Sequence, residues 1–199
     1  MFIQVIRAKV KDAAAMRAAG QEWMKELKPG AKGFLGSTEG VTSDGEFVAV
    51  VRFESEEAAR ANSERPEQGA WMEKTSQLFE GDVKFYDCPR VETTMGGGSD
   101  DAGFVQLMIY KPSDAEAVLT MSKEFEKLGA MRPDIIGGTT AVATDGTFID
   151  TNYFKSEAEA RTAEKQPMTP EVQGLMERFG ELAGPVEFID LSDPWMYSA

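Results

Sequence analysis

Along residues 148–154 the side chains Phe148, Asp150, Asn152 and Phe154 fall at every second position. On an extended strand these four share one face. Aromatic rings beside a carboxylate and an amide are poor core material, because burying either polar group without a partner costs several kcal/mol. Asp150 and Asn152 are therefore the leading candidates for chemistry. Burial would raise the pKa of Asp150 and suit it to accept a proton, while Asn152 and Gln106 could hydrogen-bond a carbonyl or a developing oxyanion. Gln4, Gln106, Tyr110, Phe148 and Phe154 are the candidate ligand-binding side chains around them. The bland alternative also stands: Asp150 and Asn152 sit at a solvated mouth, or pair with Gln4 and Gln106 in a polar network.

Other residues carry weaker chemical signals. Tyr110, Tyr153 and Tyr197 could each donate a phenolic proton, although an amphipathic ring at the edge of a core is the favoured explanation of each. Arg52 could bind an anion, but pairing with Glu54 or another surface acid is the favoured reading. Trp23 reads as core, whereas Trp71, Met72 and the ending Pro194-Trp195-Met196-Tyr197 could roof a cavity, seal a seam or contact another chain. Met108, Met121, Met131, Met168 and Met176 suggest a deformable apolar lining. Gly137-Gly138-Thr139-Thr140 lacks the lysine and helix of a phosphate loop, so close backbone packing or a bulge explains it better.

Composition narrows the chemistry. The chain of 199 residues has no histidine and one cysteine. Imidazole-based zinc sites, histidine-ligated haem and Ser-His-Asp or Cys-His nucleophile systems are thereby excluded. No metal or cofactor is called for. Cys88 cannot form an internal disulfide, consistent with a reducing, cytoplasmic location. The formal charge of −13 argues against a nucleic-acid partner. No run approaches the ~20 apolar residues of a membrane span. The expected partner is a small apolar or aromatic ligand.

The elements that must hold these residues come in two copies. Phe2, Gln4, Lys9, Asp12 and Ala15 return 102 positions later as Phe104, Gln106, Lys111, Asp114 and Ala117, and Trp23 returns as Phe125. Gly36 and Gly138 continue that series. Asp44-Gly45, Phe47, Phe53, Ser55, Glu56 and Pro66 recur at a spacing of 101 as Asp145-Gly146, Phe148, Phe154, Ser156, Glu157 and Pro167. Val83, Phe85 and Asp87 match Val186, Phe188 and Asp190 at 103. The protein is an internal duplication.

Each copy begins with an alternating strand, at 2–10 in the first. Asp12 or Asp114 then caps a helix, with Met16, Trp23 and Leu27, or Val118, Phe125 and Leu128, along one face. Pro29-Gly30 or Arg132-Pro133 ends it. Two strands follow, joined by Asp-Gly in a tight hairpin whose two central residues are expected at positive φ. Ser55 or Ser156 caps a second helix that Pro66 or Pro167 breaks, and a last strand ends near 87 or 190. The order is β-α-β-β-α-β twice, an α+β chain of two ferredoxin-like repeats. Boundaries fall at 1–88 for the first repeat, 89–102 for a Gly-rich linker, 103–192 for the second and 193–199 for a tail. The three glycines of the linker are ill suited to helix or strand.

Such a repeat leaves one sheet face without helices, and two open faces from one chain can pack together as an intrachain pseudo-dimer. A higher oligomer remains open. On parity, the uniformly apolar set Ile3, Val5, Val105, Leu107 and Ile109 is expected against the helices. Gln4, Gln106, Tyr110, Asp150 and Asn152 are then expected in the interior between the sheets. The second repeat has the more polar set. It is also the more acidic, with 18 acidic and 8 basic residues in 100–199 against 16 and 13 in 1–99.

Phe53-Glu54-Ser55-Glu56-Glu57-Ala58-Ala59-Arg60 and Phe154-Lys155-Ser156-Glu157-Ala158-Glu159-Ala160-Arg161 resemble the aromatic-x-Ser-x-Glu-Ala segment of the dimeric α/β-barrel superfamily. The antibiotic biosynthesis monooxygenase-like branch is the closest match. The resemblance implies two antiparallel sheets packed face to face as a barrel with a ligand cavity. It also implies activities ranging from cofactor-independent oxygenases of aromatic polyketides to haem degradation, isomerisation and no activity. Haem-degrading relatives place a histidine and a tryptophan in the second helical region. The matching positions here are Met72 and Gln173, and Asn62 and Ala163, so that activity is not expected. A cofactor-independent monooxygenase-like enzyme acting on a small aromatic or polyketide-like compound remains. A non-enzymatic binding protein and a structural pseudo-dimer are the alternatives.

Overall fold

The computed structural model describes residues 1–127, 132 and 134–199. Leu128, Met131 and Pro133, and the ring of Phe125, lie outside what is described. The chain divides into two units, residues 1–91 with 193–199, and residues 92–192. Among the described residues no helix is long and apolar enough to cross a membrane.

In the first unit the order is β1 (Phe2–Val10), α1 (Ala13–Glu26), β2 (Phe34–Val41), β3 (Glu46–Phe53), α2 (Glu56–Ser63), α3 (Pro66–Ser76) and β4 (Phe79–Cys88). In the second, β5 (Arg90–Thr94) precedes β6 (Phe104–Tyr110), α4 (Ala115–Lys127), β7 (Ile135–Val142), β8 (Phe148–Phe154), α5 (Glu157–Ala163), α6 (Pro170–Ala183) and β9 (Glu187–Leu191). A final strand, β10 (Trp195–Ser198), ends the chain. The sheets are ordered β10-β2-β3-β1-β4 and β5-β7-β8-β6-β9. The central four strands of each have the ferredoxin-like order, and each sheet gains a fifth strand at the same edge.

Local chemistry explains the boundaries. The Asp12 carboxylate accepts from the Ala15 N–H and Asp114 from the Ala117 N–H, each at 3.0 Å. Ser55 and Ser156 accept from the Ala58 and Glu159 N–H groups at 3.2 Å. Each cap satisfies a backbone donor that a helix start leaves open, and its loss typically costs ~1 kcal/mol. Pro66 and Pro170 occupy first turns, where a missing N–H does no harm.

The hairpins differ from expectation in detail. Gly45 and Gly146 have φ of 84° and 85°, but neither aspartate is at positive φ. Gly45 N–H donates to the Thr42 carbonyl, and Gly146 N–H to that of Ala143. This is a turn of ordinary hand followed by a left-handed glycine, which needs only one residue at positive φ.

Strand register also corrects the repeat alignment. Gly36 lies opposite Arg52, and Gly137 opposite Tyr153, each just after a register shift. Gly36 therefore corresponds to Gly137, not Gly138, and the spacing is 101 throughout β2 and β7. These glycines make room for the fifth strands. A Cβ on Gly36 would lie 2.7 Å from the Tyr197 carbonyl oxygen, and one on Gly137 2.1 Å from that of Gly97. Both stretches read as linker and tail thus carry strand, because seven non-glycine residues of the linker precede the Gly96-Gly97-Gly98 run and an edge was open to receive them.

The expected sheet faces are reversed. Phe2 packs with Phe34, Phe53 and Ala59, while Ile6 joins Met16, Phe47, Ala49 and Met72. In the second unit Tyr110 and Phe148 pack with Val118, Leu119 and Ala183, and Phe104 and Phe154 with Ala160. The mixed aromatic and polar set therefore faces the helices. The uniformly aliphatic set lies on the other face, where Ile3, Val5, Val105, Leu107 and Ile149 are fully buried. Alternation shows which residues share a face but not what that face meets. A helix layer set off from a sheet leaves gaps that large rings and polar groups can line.

Candidate functional site

The reversal moves the candidate residues into a cavity of about 330 Å3 within the second unit. Gln106 from β6, Thr140 from β7, Asp150, Asn152 and Phe154 from β8, and Met176 from α6 line it, among others. Its volume is in the range of small-molecule sites, and its wall is mainly apolar.

Asp150 is the most unusual of these groups. One carboxylate oxygen, Oδ2, accepts from the Tyr110 hydroxyl at 2.8 Å. The other, Oδ1, is buried without a hydrogen bond. Burial pushes the pKa of Asp150 above the usual carboxylate range, and the Tyr110 hydroxyl offsets only part of this rise. Tyr110 is held protonated by its own burial and by the neighbouring charge of Asp150. The phenol thus orients the carboxylate and is not poised to ionise.

The other candidates divide. Gln106 lines the cavity and donates through Nε2 to Asp190 at 2.9 Å, leaving its side-chain oxygen toward other partners. Asp190 also receives Arg161. Asn152 makes one long contact, 4.0 Å, with the Met108 sulfur. Tyr110 and Phe148 are buried against each other and lie behind the cavity wall, their ring centroids 5.5 Å apart. Gln4 belongs to the first unit, where it donates to Asp87 at 2.8 Å. The glutamines therefore form one equivalent pair in each unit, and neither is hydrogen-bonded to Asp150.

Sequence reasoning missed a second carboxyl. Glu39 on β2 lines a cavity of about 220 Å3 in the first unit, together with Trp23, Ser37, Ala49, Trp71 and Tyr197. Burial pushes its pKa up to about 7, partly opposed by the Ser37 hydroxyl, which donates to Oε1 at 2.8 Å. Register supplies the signal that composition could not. Glu39 is opposite Ala49 and Thr140 is opposite Asp150. At this one cross-strand pair each unit has a carboxyl, on β2 in the first and on β8 in the second.

The remaining aromatic and basic candidates have partners within the protein. Trp195 packs on Phe47 under the Arg17 guanidinium, and β10 seals the β2 edge of the first unit. Arg52 donates to the Thr38 hydroxyl at 2.9 Å. Tyr153 is fully buried. Trp71 donates to the Ala19 carbonyl and Trp23 to Gln68, at 3.2 and 2.6 Å.

No protein-family model matches the sequence, and no curated protein does. Solved structures do match. A Fusobacterium nucleatum protein provisionally assigned as a monooxygenase superposes with a TM-score of 0.79 at 9% identity, over 99% of this chain and 94% of its own. An anthrone oxidase-like protein matches at 0.69 and 8% identity, over 100% and 91%. The fold is that of the antibiotic biosynthesis monooxygenase-like proteins, in tandem. This tandem fold reaches further, to a haem-degrading enzyme from Listeria monocytogenes at 0.52 and 10% identity, over the full length of both chains. A porphyrin does not fit this member of the fold. The chain has no histidine, and neither cavity exceeds about 330 Å3, small for a macrocycle.

Proposed function

We propose that the second unit is a cofactor-independent monooxygenase-like site for a small aromatic or polyketide-like compound, with Asp150 as its base. The observation that carries this reading is the unbonded, buried Oδ1 of Asp150 beside an apolar cavity of about 330 Å3. Such an oxygen is placed to accept a proton, and burial raises the pKa of the group, which makes its ionised form a stronger base.

The chemistry suits a ring CH2 activated by a conjugated carbonyl. Ionised Asp150 removes one C–H proton, and Gln106 or Asn152 can donate to the oxygen on which charge develops. The carbanion passes one electron to O2, and the resulting radicals combine as a peroxide anion. Loss of water, using the proton held by Asp150, leaves a new carbonyl. The substrate gives up two hydrogens and gains one oxygen atom, and the second oxygen leaves as water. The substrate itself supplies the electrons. The anthrone oxidase-like fold neighbour supports the choice of substrate class.

Oxygen consumption with anthrone tests this reading. Asp150→Ala should lower the rate on the order of 100-fold, within the range for loss of a general base. Uptake equal to that of the unaltered protein removes Asp150 from the mechanism. Cys88 is buried and is the single cysteine of the sequence, so it has no disulfide partner within the chain, which supports action in a reducing compartment such as the cytoplasm.

A further inference from the structure

The first unit has its own cavity, and its chemistry differs from that of the second. We propose that this cavity is a second binding site, selective for small aromatic cations such as arylalkylamines, with Glu39 as the counter-ion.

Four observations carry it. First, Glu39 is the one carboxyl in a wall that includes no lysine or arginine. Its Oε1 is engaged by Ser37, and Oε2 has no hydrogen bond among the described residues. A ligand N–H can therefore complete the carboxylate. Second, the indole N–H groups of Trp23 and Trp71 are committed to Gln68 and Ala19. What these tryptophans can offer a ligand is ring surface, which attracts a cation and stacks on an aromatic ring. Third, Gln4 has given its N–H to Asp87, so its free oxygen is a further acceptor. Asn62 and Gln68 have their oxygens occupied by Arg65 and Trp23, and can offer N–H to an oxygen substituent on the ligand. Fourth, about 220 Å3 suits a single ring with a short side chain and excludes larger polycyclic compounds.

The surroundings of Glu39 make the site sensitive to pH. Tyr197 on β10 lies beside it and is pushed up to about 12, so it stays neutral. Arg17 on α1 is already held by Asp193 and stacked on Trp195. From β3, the side chain opposite is Ala49. Glu39 is thus the group facing the cavity that changes charge near neutrality. Its ionised fraction rises about tenfold between pH 6 and pH 8 around a value of about 7. An alkylammonium remains charged over that interval.

Calorimetric titration at 0.15 M salt provides the test, with phenethylamine as the cation, 3-phenylpropionate as the anion and 3-phenylpropanol as the neutral control. Phenethylamine should bind at least tenfold more tightly than either control at pH 8, and lose most of that advantage at pH 6. Glu39→Gln should abolish the preference, as should Ala49→Met, which fills the cavity opposite Glu39. Asp150→Asn should leave amine binding unchanged, because that carboxyl belongs to the other cavity. Equal binding of amine and anion overturns the proposal, as does a preference that survives Glu39→Gln or that disappears with Asp150→Asn. Oxygen uptake with anthrone reads the second unit separately, so failure of either reading is visible on its own.

Discussion

The two units share strand order, caps, hairpin turns and a glycine bulge at the same edge, yet they place their buried carboxyl on opposite strands of one cross-strand pair. Glu39 faces Ala49 in the first, and Asp150 faces Thr140 in the second. Their neighbours differ accordingly. Glu39 receives a serine hydroxyl from its own strand, whereas Asp150 receives a phenol from β6. The position equivalent to Tyr110 in the first unit is Ala8, so no phenol could orient a carboxylate there. Duplication has kept the need for one carboxyl between sheet and helices and let its origin drift. That pattern points to a constraint on the cavity, since a purely structural core would gain by replacing an unpaired acid with an apolar side chain.

The largest expected effect comes from erasing this difference. Asp150→Ala makes the second unit resemble the first at β8, and adding Thr140→Glu moves the carboxyl to the first unit's position. The single variant should lose anthrone-dependent oxygen uptake on the order of 100-fold. The double variant should regain about tenfold, since the carboxyl returns to the same cavity without its Tyr110 partner. A double variant as inactive as the single one would show that the two placements are not interchangeable.

Next in size is the pH dependence of stability. Burial raises Glu39 in the folded protein from its ordinary value of 4.5 to about 7. Between these values the folded state holds a proton that the unfolded chain has lost. The contribution of Glu39 is thus fully present below pH 4.5 and disappears as pH rises through 7, a change on the order of 3 kcal/mol. Glu39→Gln should flatten this part of the profile and raise the urea midpoint at pH 8. Parallel profiles for both proteins would place the titration elsewhere. Asp150 has the same sign, so Asp150→Asn should also stabilise the protein as pH rises.

Much of this architecture was legible in the sequence because its signals are local. Asp12, Ser55 and their repeats cap helices through a single side chain, and Phe53-Glu54-Ser55 marks a junction wherever it occurs. The candidate cavity was half legible. Asp150 and Asn152 stood out because polar groups interrupt an aromatic alternation. Glu39 did not, since it lies in Gly36-Ser37-Thr38-Glu39-Gly40, a stretch that resembles an exposed strand. Its burial depends on Trp71 and Tyr197, which are 32 and 158 positions away. Face assignment failed for a related reason: apolarity ranks the two faces of a strand but does not identify the layer that each one meets. The fifth strands were hidden because an edge pairing through backbone atoms requires little of its side chains.

The fifth strands provide a smaller test. Gly36→Ala would face the Tyr197 carbonyl at 2.7 Å with φ at 124°, whereas Gly137→Ala meets the Gly97 carbonyl at 2.1 Å. Each should cost about 1–3 kcal/mol in thermal or urea unfolding through crowding. Gly69 on α3 has nothing within 4 Å of an added Cβ, so Gly69→Ala should stabilise by roughly 0.5–1 kcal/mol. A neutral Gly137→Ala would mean that the turn after β5 can shift away, and that the edge strand is held less firmly than β10.

The smallest effect separates the two glutamine pairs. Gln4 and Asp87 form an exposed hydrogen bond, and their repeats Gln106 and Asp190 form a part-buried one that Arg161 completes. Exposed pairs contribute little because water replaces them at almost no cost, whereas a buried donor left without its partner loses about 1 kcal/mol or more. Gln4→Met should therefore change stability by less than about 0.5 kcal/mol, and Gln106→Met by about 1 kcal/mol. The gap should narrow in Arg161→Met, which frees Asp190 to meet solvent and removes the cation that makes its position fixed. If both glutamine variants prove equally costly, the part-buried charge cluster of the second unit is not what distinguishes the pairs. The shared Gln-Asp contact would then serve the sheet edge in both units, independently of the cavity beside it.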